Sequence, residues 1–340
     1  MDKNHVYRAS VPGRICLVGD HCDYAKGMSV ALPLQQRVTA YGELRDDQEV
    51  AIVSSLEDQV CRLTFSLDNI PRLEDNPLRY SAAAVQVLKK YHAVGGLSVT
   101  INSNLPPKKG LGSSAAVSVA TIKLFNDAYH LNLSRDDLAR LAYESEHDLL
   151  GVKCGKMDQI VAAYETLVAI NFMNGNNGSP EVSPLTSPQP MHLLVGIPST
   201  TRRALNIMLS ATNSAYRSPT TKQDHAFCQA LDDIIPNTVV KPFIQAVQYG
   251  DPVKAGSLLR LNQEIYDSTF IPVCESFEAP IIHRYLQIAK ANGSLGEKWT
   301  GAGGDGAFIC LAASPESRDN LQQSIEKKSS LEIHFVTVTI

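Results

Sequence analysis

No apolar run in this chain approaches the roughly 18 to 20 residues of a membrane span, so an integral membrane protein is not expected. The seven cysteines, at 16, 22, 61, 154, 228, 274 and 310, are scattered, odd in number and form no CxxC pair. A disulfide framework and a zinc site are therefore both disfavoured. Cys16, Cys61 and Cys310 lie in apolar stretches and read as small core residues. A net charge of -4 offers no positive excess for nucleic acid or another polyanion. Internal repeats and low-complexity blocks are lacking, and Met1-Asp-Lys-Asn-His-Val-Tyr7 has no apolar signal core, which points to the cytoplasm. What remains is a globular protein of 340 residues, 44% hydrophobic and 19% charged, with a length suited to about two domains.

The chain opens rich in strand patterns, at Tyr7 to Val11, Val30 to Leu44, Glu49 to Ser54 and Val60 to Phe65. Helical patterns follow at about Pro77 to Tyr91, Ser114 to Tyr129 and Ser134 to Leu150. Ser134 and Asp137 resemble a capped start. The stripe Leu138, Leu141, Ala142, Ser145 and Leu149 is expected to face inward, with Glu146 at its edge. Residues 173–190 have the Asn, Gly and Pro content of a surface connection, and this sets an expected domain boundary between 185 and 186. Beyond it come a strand at Met191 to Ile197, several helices between Asp224 and Ala291, a strand at 307–312, a helix at 315–327 and a strand at 331–339. Blocks of strands followed by blocks of helices predict an α+β fold.

Four segments carry chemistry. In Leu105-Pro-Pro-Lys-Lys-Gly-Leu-Gly-Ser-Ser-Ala-Ala116, a glycine-serine turn separates an alternating strand, Gly96 to Asn104, from a helix. Ala115, Ala116, Val119, Ile122 and Leu124 are spaced as the buried stripe of that helix. Backbone N–H groups and the helix dipole make such a start a site for phosphate. The hydroxyls of Ser113 and Ser114 can cap the helix or complete a magnesium shell. The turn fits neither a Walker P-loop nor the dinucleotide fingerprint, and by itself it also reads as a plain capped helix.

The second segment is Val11-Pro-Gly-Arg-Ile-Cys-Leu-Val-Gly-Asp-His-Cys-Asp-Tyr24, where Asp20, His21 and Asp23 cluster at a strand end. Ionisable groups placed there are costly to bury unless they meet a ligand, although both aspartates also suit a turn. In the third, Glu146 to Gln159, a glycine turn can bring Glu146 and Asp158 towards one site, one carboxylate for a metal and the other for a substrate hydroxyl. The plainer alternative is a solvated helix end and an exposed turn, which suits His147 and Asp148. Lys298-Trp-Thr-Gly-Ala-Gly-Gly-Asp-Gly306 then places four glycines before a strand, as a backbone does when it approaches a ligand or another backbone closely.

Taken together and in this order, these motifs resemble the GHMP kinase superfamily. Pro12-Gly-Arg14 followed by Gly19-Asp-His-Cys-Asp-Tyr24 is similar to its sugar-kinase branch, in which galactokinases carry Gly-Arg and Gly-Glu-His-Thr-Asp-Tyr. Cys154-Gly-Lys-Met-Asp158-Gln likewise resembles their Cys-Gly-Ile-Met-Asp-Gln.

That resemblance implies a two-domain fold, with an N-terminal domain like domain 2 of ribosomal protein S5, a C-terminal ferredoxin-like domain and the active site between them. It implies an ATP- and Mg2+-dependent sugar 1-kinase acting on galactose or a relative. Lys109, Gly110, Leu111, Gly112, Ser113, Ser114 and Ala115 would hold ATP, and Ser114 and Glu146 the magnesium. Asp158 would receive or orient the acceptor proton beside Arg14, a pairing that suits a transfer governed by positioning and charge. Asp20, His21, Asp23 and Asp158 would bind the sugar, with Gly303 and Gly304 lending backbone. Expected partners are a small sugar and ATP, with no nucleic acid or membrane; oligomeric state is not legible.

Departures from the pattern leave the acceptor open. Asp20 is one methylene shorter than the family's glutamate, and Cys22 replaces threonine. Lys108 and Lys109 either approach the phosphates or are solvated loop lysines. Asp305 interrupts a nearly all-glycine turn and points to the ligand pocket or to solvent. Arabinose, uronic acids and heptose phosphates remain alternatives, with Arg202, Arg203 and Arg217 as candidates for a sugar carboxylate. A non-catalytic sugar sensor and a kinase for a non-sugar alcohol are the competing functions. The intact Ser113-Ser114-Ala115 weighs against the sensor, and the polar 20–24 cluster against an apolar acceptor.

Overall fold

The computed structural model describes residues 5–56, 59–71, 76–173, 179–200 and 205–340. The chain forms two units, each assembled from separate stretches of sequence.

The first unit comprises Met1–Arg14, Pro33–Pro106 and Gly112–Glu165. Its strands are β1 (Tyr7–Val18), which pairs with β2 (Met28–Leu44), then β3 (Glu49–Leu56), β4 (Gln59–Ser66) and β5 (Leu97–Ser103). Pro12 and Gly13 divide the apolar pattern of 7–18 into two pieces, yet β1 runs through both. A proline is tolerated in a strand where the ladder does not require its N–H. The ladder runs β4-β3-β5-β2. β3 and β5 are parallel, Val50 lying opposite Leu97, and a parallel pair requires a crossover. That crossover contains α1 (Arg79–Tyr91).

Ser81, Ala82, Ala83 and Ala84 of α1 are buried. Such small side chains allow close approach to α2 (Ser113–Tyr129), and the Ser81 and Thr121 hydroxyls hydrogen-bond across the contact at 2.8 Å. The stripe read from the sequence is inside: Ala115, Ala116, Val119, Ile122 and Leu124 have no accessible surface. α3 (Arg135–Tyr143) starts at a capping box between Ser134 and Asp137. The helix expected to continue to Leu150 instead passes into a π-turn at Glu144–Leu149. The wider turn shifts the inward face by about one residue. Leu149, expected inside, is consequently 41% exposed, whereas Glu146 is fully internal. α4 (Met157–Tyr164) completes the unit against α2 and α3.

The second unit comprises Ile15–Leu32, Pro107–Leu111 and Thr166–Ile340. Here the Met28–Ala31 part of β2 pairs with β6 (Val168–Asn171), and β6 pairs with β7 (Glu181–Pro184). β7 thus lies in the stretch that reads as a loose connection, of which residues 174–178 are outside the described residues. A four-stranded antiparallel sheet is built from β8 (His192–Pro198), β9 (Gly296–Thr300), β10 (Ala307–Ala312) and β11 (Ile333–Thr339), in the order β11-β8-β10-β9.

The helices of this unit are α5 (Leu205–Arg217), α6 (Lys222–Gln229), α7 (Lys241–Tyr249), α8 (Pro252–Thr269), α9 (Pro280–Ala291) and α10 (Pro315–Lys328), with a π-helical stretch at Ala230–Val240. α8, α9 and α10 pack on the sheet. β9 does not read as a buried strand, since Gly-Glu-Lys-Trp-Thr holds two charges, yet every residue of it is internal. Each charge has a counter-charge: Glu297 takes both arms of Arg260 at 2.8 and 2.9 Å, and Lys298 meets Asp20 at 2.6 Å. No helix among the described residues is long and apolar enough to cross a membrane.

Candidate active site

In the first unit, Arg14 on β1 and Asp158 in the first turn of α4 lie side by side. Arg14 Nε donates to Asp158 Oδ1 and Nη2 to Oδ2, both at 2.6 Å, a fork-on-carboxylate arrangement. Arg14 is buried and Asp158 about a quarter exposed, so the carboxylate remains open on one side. Gly112, the residue before α2, has φ +72°, and a Cβ there would lie 3.1 Å from Arg14 Cγ and 3.5 Å from Asp158 Oδ2. A glycine at this position lets the start of α2 approach the pair. Ser113 and Ser114 follow as the first helical residues, both part-exposed.

Glu146, carried inward by the π-turn, is 1% exposed. It accepts from Gln159 Nε2 at 2.9 Å and from the Ser114 hydroxyl. Burial pushes its carboxyl up to about 7, and the nearby Asp158 charge adds to this against the hydrogen bonds. Gln159, next to Asp158 in α4, is a site residue that sequence reasoning misses; its place in the Met157-Asp-Gln run is the one signal it leaves. His147 and Asp148, by contrast, form a pair with each other near the surface, and Asp148 is exposed.

In the second unit, Lys108 is exposed whereas Lys109 is half-buried. Lys109 Nζ donates to the carbonyls of Pro198 at 2.8 Å and Thr200 at 2.5 Å. It is therefore not a freely solvated lysine; it ties the loop before Gly110 to the end of β8. Burial pushes its ammonium pKa down. Gly301 lies so close to this loop that a Cβ would be 2.5 Å from Gly110 O, and its φ is +76°. Gly303 and Gly304 continue the turn in left-handed backbone. Asp305 does not point to solvent. It is 5% exposed, and its Oδ1 accepts from Ile282 N at 3.2 Å in the first turn of α9.

Asp20, His21 and Asp23 lie at and after the end of β1. Asp20 has no accessible surface, and its carboxylate takes Lys298 Nζ at 2.6 Å, Gly301 N at 2.7 Å and Tyr266 Oη at 3.2 Å. His21 has φ 65° and is buried beside Phe270, Phe277 and Trp299, its Nδ1 3.0 Å from Tyr24 Oη. Asp23, in the short 3-10 turn Cys22–Tyr24, is part-exposed. Of the arginines considered for an acidic sugar, Arg217 is exposed at the end of α5, and Arg202 and Arg203 are outside the described residues.

The stretch holding Arg14 and the Asp20 cluster, residues 2–43, matches the galactokinase galactose-binding signature, and residues 79–166, holding the serine turn, Glu146 and Asp158, match the GHMP kinases N terminal domain. Over these stretches the chain is similar to the GHMP kinases. Within that family it is galactokinase-like. A galactokinase of Thermococcus kodakarensis is 25% identical over 318 residues, 89% of each chain. A galactokinase of Clostridium perfringens is 36% identical over 151 residues, 44% of this chain and 39% of that one. Among solved structures, Lactococcus lactis galactokinase complexed with galactose superposes with a TM-score of 0.80 at 22% identity, covering 100% of this chain and 94% of the other. The mevalonate kinase of Methanococcus jannaschii gives 0.76 at 18% identity, with 99% of each chain covered. The mixed α+β architecture with two sheets is thus the GHMP kinase fold, and the family and galactokinase likenesses support an ATP-dependent sugar kinase.

Proposed function

We propose that this GHMP kinase transfers the γ-phosphoryl group of ATP to the anomeric hydroxyl of galactose or a close relative. The observation that carries the reading is the Arg14–Asp158 pair, with Gly112 and the start of α2 against it. Asp158 takes the proton of the acceptor hydroxyl as its oxygen attacks the γ-phosphorus; the bond to the β-phosphate oxygen breaks and ADP leaves. Arg14 holds the carboxylate in place and offsets charge on the transferred group. Phosphoryl transfer needs chiefly this positioning and charge stabilisation.

The residues at Glu146 fit a magnesium ion. A buried carboxylate whose proton is held up to about pH 7 and whose neighbours are a hydroxyl and an amide is a hard oxygen site in need of a cation. Ser114 and Glu146 would hold it, and when bound it neutralises phosphate charge. Residues Lys109 to Ala115 form the ATP loop, anions being favoured at the start of α2. His21 and Asp23 face the sugar, with Gly303 and Gly304 contributing backbone. The domain assignment of 1–185 for the catalytic half and 186–340 for the remainder is part of the same proposal.

Purified protein, ATP and Mg2+ assayed against a panel of free sugars tests the reading. Galactose 1-phosphate is the expected product, with ADP formed only when sugar is present. Absence of any sugar phosphate across the panel would sink it, and sugar binding without ATP turnover would identify a sensor instead.

A further inference from the structure

Asp20 and Lys298 are charged, have no accessible surface and form an ion pair at 2.6 Å. Burial of two charges is unfavourable unless each also satisfies its remaining hydrogen-bonding capacity. Both do so here. Lys298 Nζ donates to the carbonyl of Trp299 and lies within 5.6 Å of the Tyr266 ring and 5.3 Å of the Trp299 ring. Asp20 accepts from Lys298, from Tyr266 Oη and from Gly301 N, which occupies most of the roughly four lone-pair sites of a carboxylate. The surrounding frame is fixed too: Gly19 N donates to Asn262 Oδ1 at 3.0 Å, Ser29 Oγ donates to Gly19 O at 2.6 Å, and Trp299 N donates to Gln263 Oε1 at 2.9 Å. Trp299 stacks on Tyr266 at 4.5 Å.

Gly301 is where this frame meets the ATP loop. Its N–H is held by Asp20, and its Cα lies against Gly110 O closely enough to exclude a side chain. We propose that Asp20 and Lys298 are positioning residues for the nucleotide loop, a buried strut that fixes Gly301 against Gly110, and that Asp20 is not a direct ligand of the acceptor. The inference rests on the kinase reading above. Its chemistry is specific: most of the aspartate's acceptor capacity is taken up by Lys298, Tyr266 and Gly301 inside the protein.

The test is a set of four variants read by kinetics and by the fluorescence of Trp299, the single tryptophan of the chain. Asp20→Asn and Lys298→Met each leave one buried group without its partner and are expected to lower stability and activity together. The double variant Asp20→Asn/Lys298→Met removes both charges but keeps an oxygen for Gly301 N, so stability, kcat and the KM for ATP should return towards wild type. Asp20→Leu/Lys298→Met also removes both charges but leaves Gly301 N without an acceptor. It should fold, with the KM for ATP raised or kcat lowered about tenfold, the scale of one lost charge-assisted hydrogen bond, and a smaller change in the KM for sugar. Trp299, 2% exposed, should stay shielded from acrylamide in Asp20→Asn/Lys298→Met and become more accessible in Asp20→Leu/Lys298→Met.

A rise confined to the KM for sugar in Asp20→Asn/Lys298→Met, with ATP parameters unchanged, would overturn the proposal and make Asp20 a sugar ligand. If the wild type phosphorylates no sugar, the kinase reading fails separately. The strut is then judged on Trp299 quenching and ATP binding, and equal quenching in the two double variants would overturn it.

Discussion

The guanidinium of Arg14 grips the carboxylate of Asp158 through two parallel hydrogen bonds of 2.6 Å, joining residues 144 positions apart in the chain. β1 supplies one partner and the first turn of α4 the other, and both are secondary-structure positions whose backbone is fixed. A carboxylate carried this way is held in one orientation, and part of it still faces outward. Gly112 serves the same geometry, because any side chain there would press on the arginine stem.

The pair predicts how activity is lost. Asp158→Asn keeps the size of the side chain but removes its basicity, and kcat should fall by about 10²–10⁴, the usual share of a positioned acid or base. Arg14→Lys should also be strongly impaired, because an ammonium cannot reproduce the two-pronged contact. In both, steady-state kinetics should show kcat falling far more than the KM for ATP rises. An Asp158→Asn enzyme with wild-type turnover would remove the carboxylate from the mechanism.

Much of this site was legible in the sequence, and the reasons for what was not are local. Glu146 and Asp158 stood out because a glycine turn between them can bring two carboxylates together, whereas the place of Arg14 beside Asp158 was implied by the family resemblance. The α2 stripe was legible because a regular helix keeps one period. The π-turn at Glu144–Leu149 was not, since one residue of extra backbone leaves no mark in composition; it reversed the fate of Leu149 and drew Glu146 further in. β9 was hidden for the opposite reason. Its Glu297 and Lys298 look like surface residues, and only the distant Arg260 and Asp20 make their burial tolerable. Lys109 was similarly ambiguous until its carbonyl partners at Pro198 and Thr200 were in view.

Glu146 gives a pH prediction for the metal-free protein. Its ordinary value is 4.5, and burial raises it to about 7 in the folded chain. The folded state therefore binds more protons than the unfolded state between those values, and this group's contribution to stability declines as pH rises from about 4.5 to about 7. A tenfold change in proton affinity is worth about 1.4 kcal/mol, so the decline over this range is at most about 3–4 kcal/mol. Glu146→Gln should flatten that part of the profile and raise the urea midpoint at pH 8 in the presence of EDTA. The same substitution should raise the Mg2+ concentration needed for turnover. Parallel pH profiles for wild type and variant would remove Glu146 as the source.

Asp305 supplies a prediction in which two effects of one residue can be separated. Its backbone is left-handed, with φ 61°, which costs a non-glycine residue about 1–2 kcal/mol. Its carboxylate, in return, accepts the Ile282 N–H near the start of α9, a contact of the kind that contributes about 1 kcal/mol. Asp305→Ala loses the contact and keeps the strain, so it should destabilise by about 1 kcal/mol or somewhat more. Asp305→Gly loses the contact but relieves the strain, so its midpoint should lie close to wild type. Denaturant unfolding of the three proteins reads the difference directly, with sugar phosphorylation as the control. A capping role predicts that activity at low temperature is little changed in both variants, whereas a role in the ligand pocket predicts a raised KM in Asp305→Gly despite its retained stability.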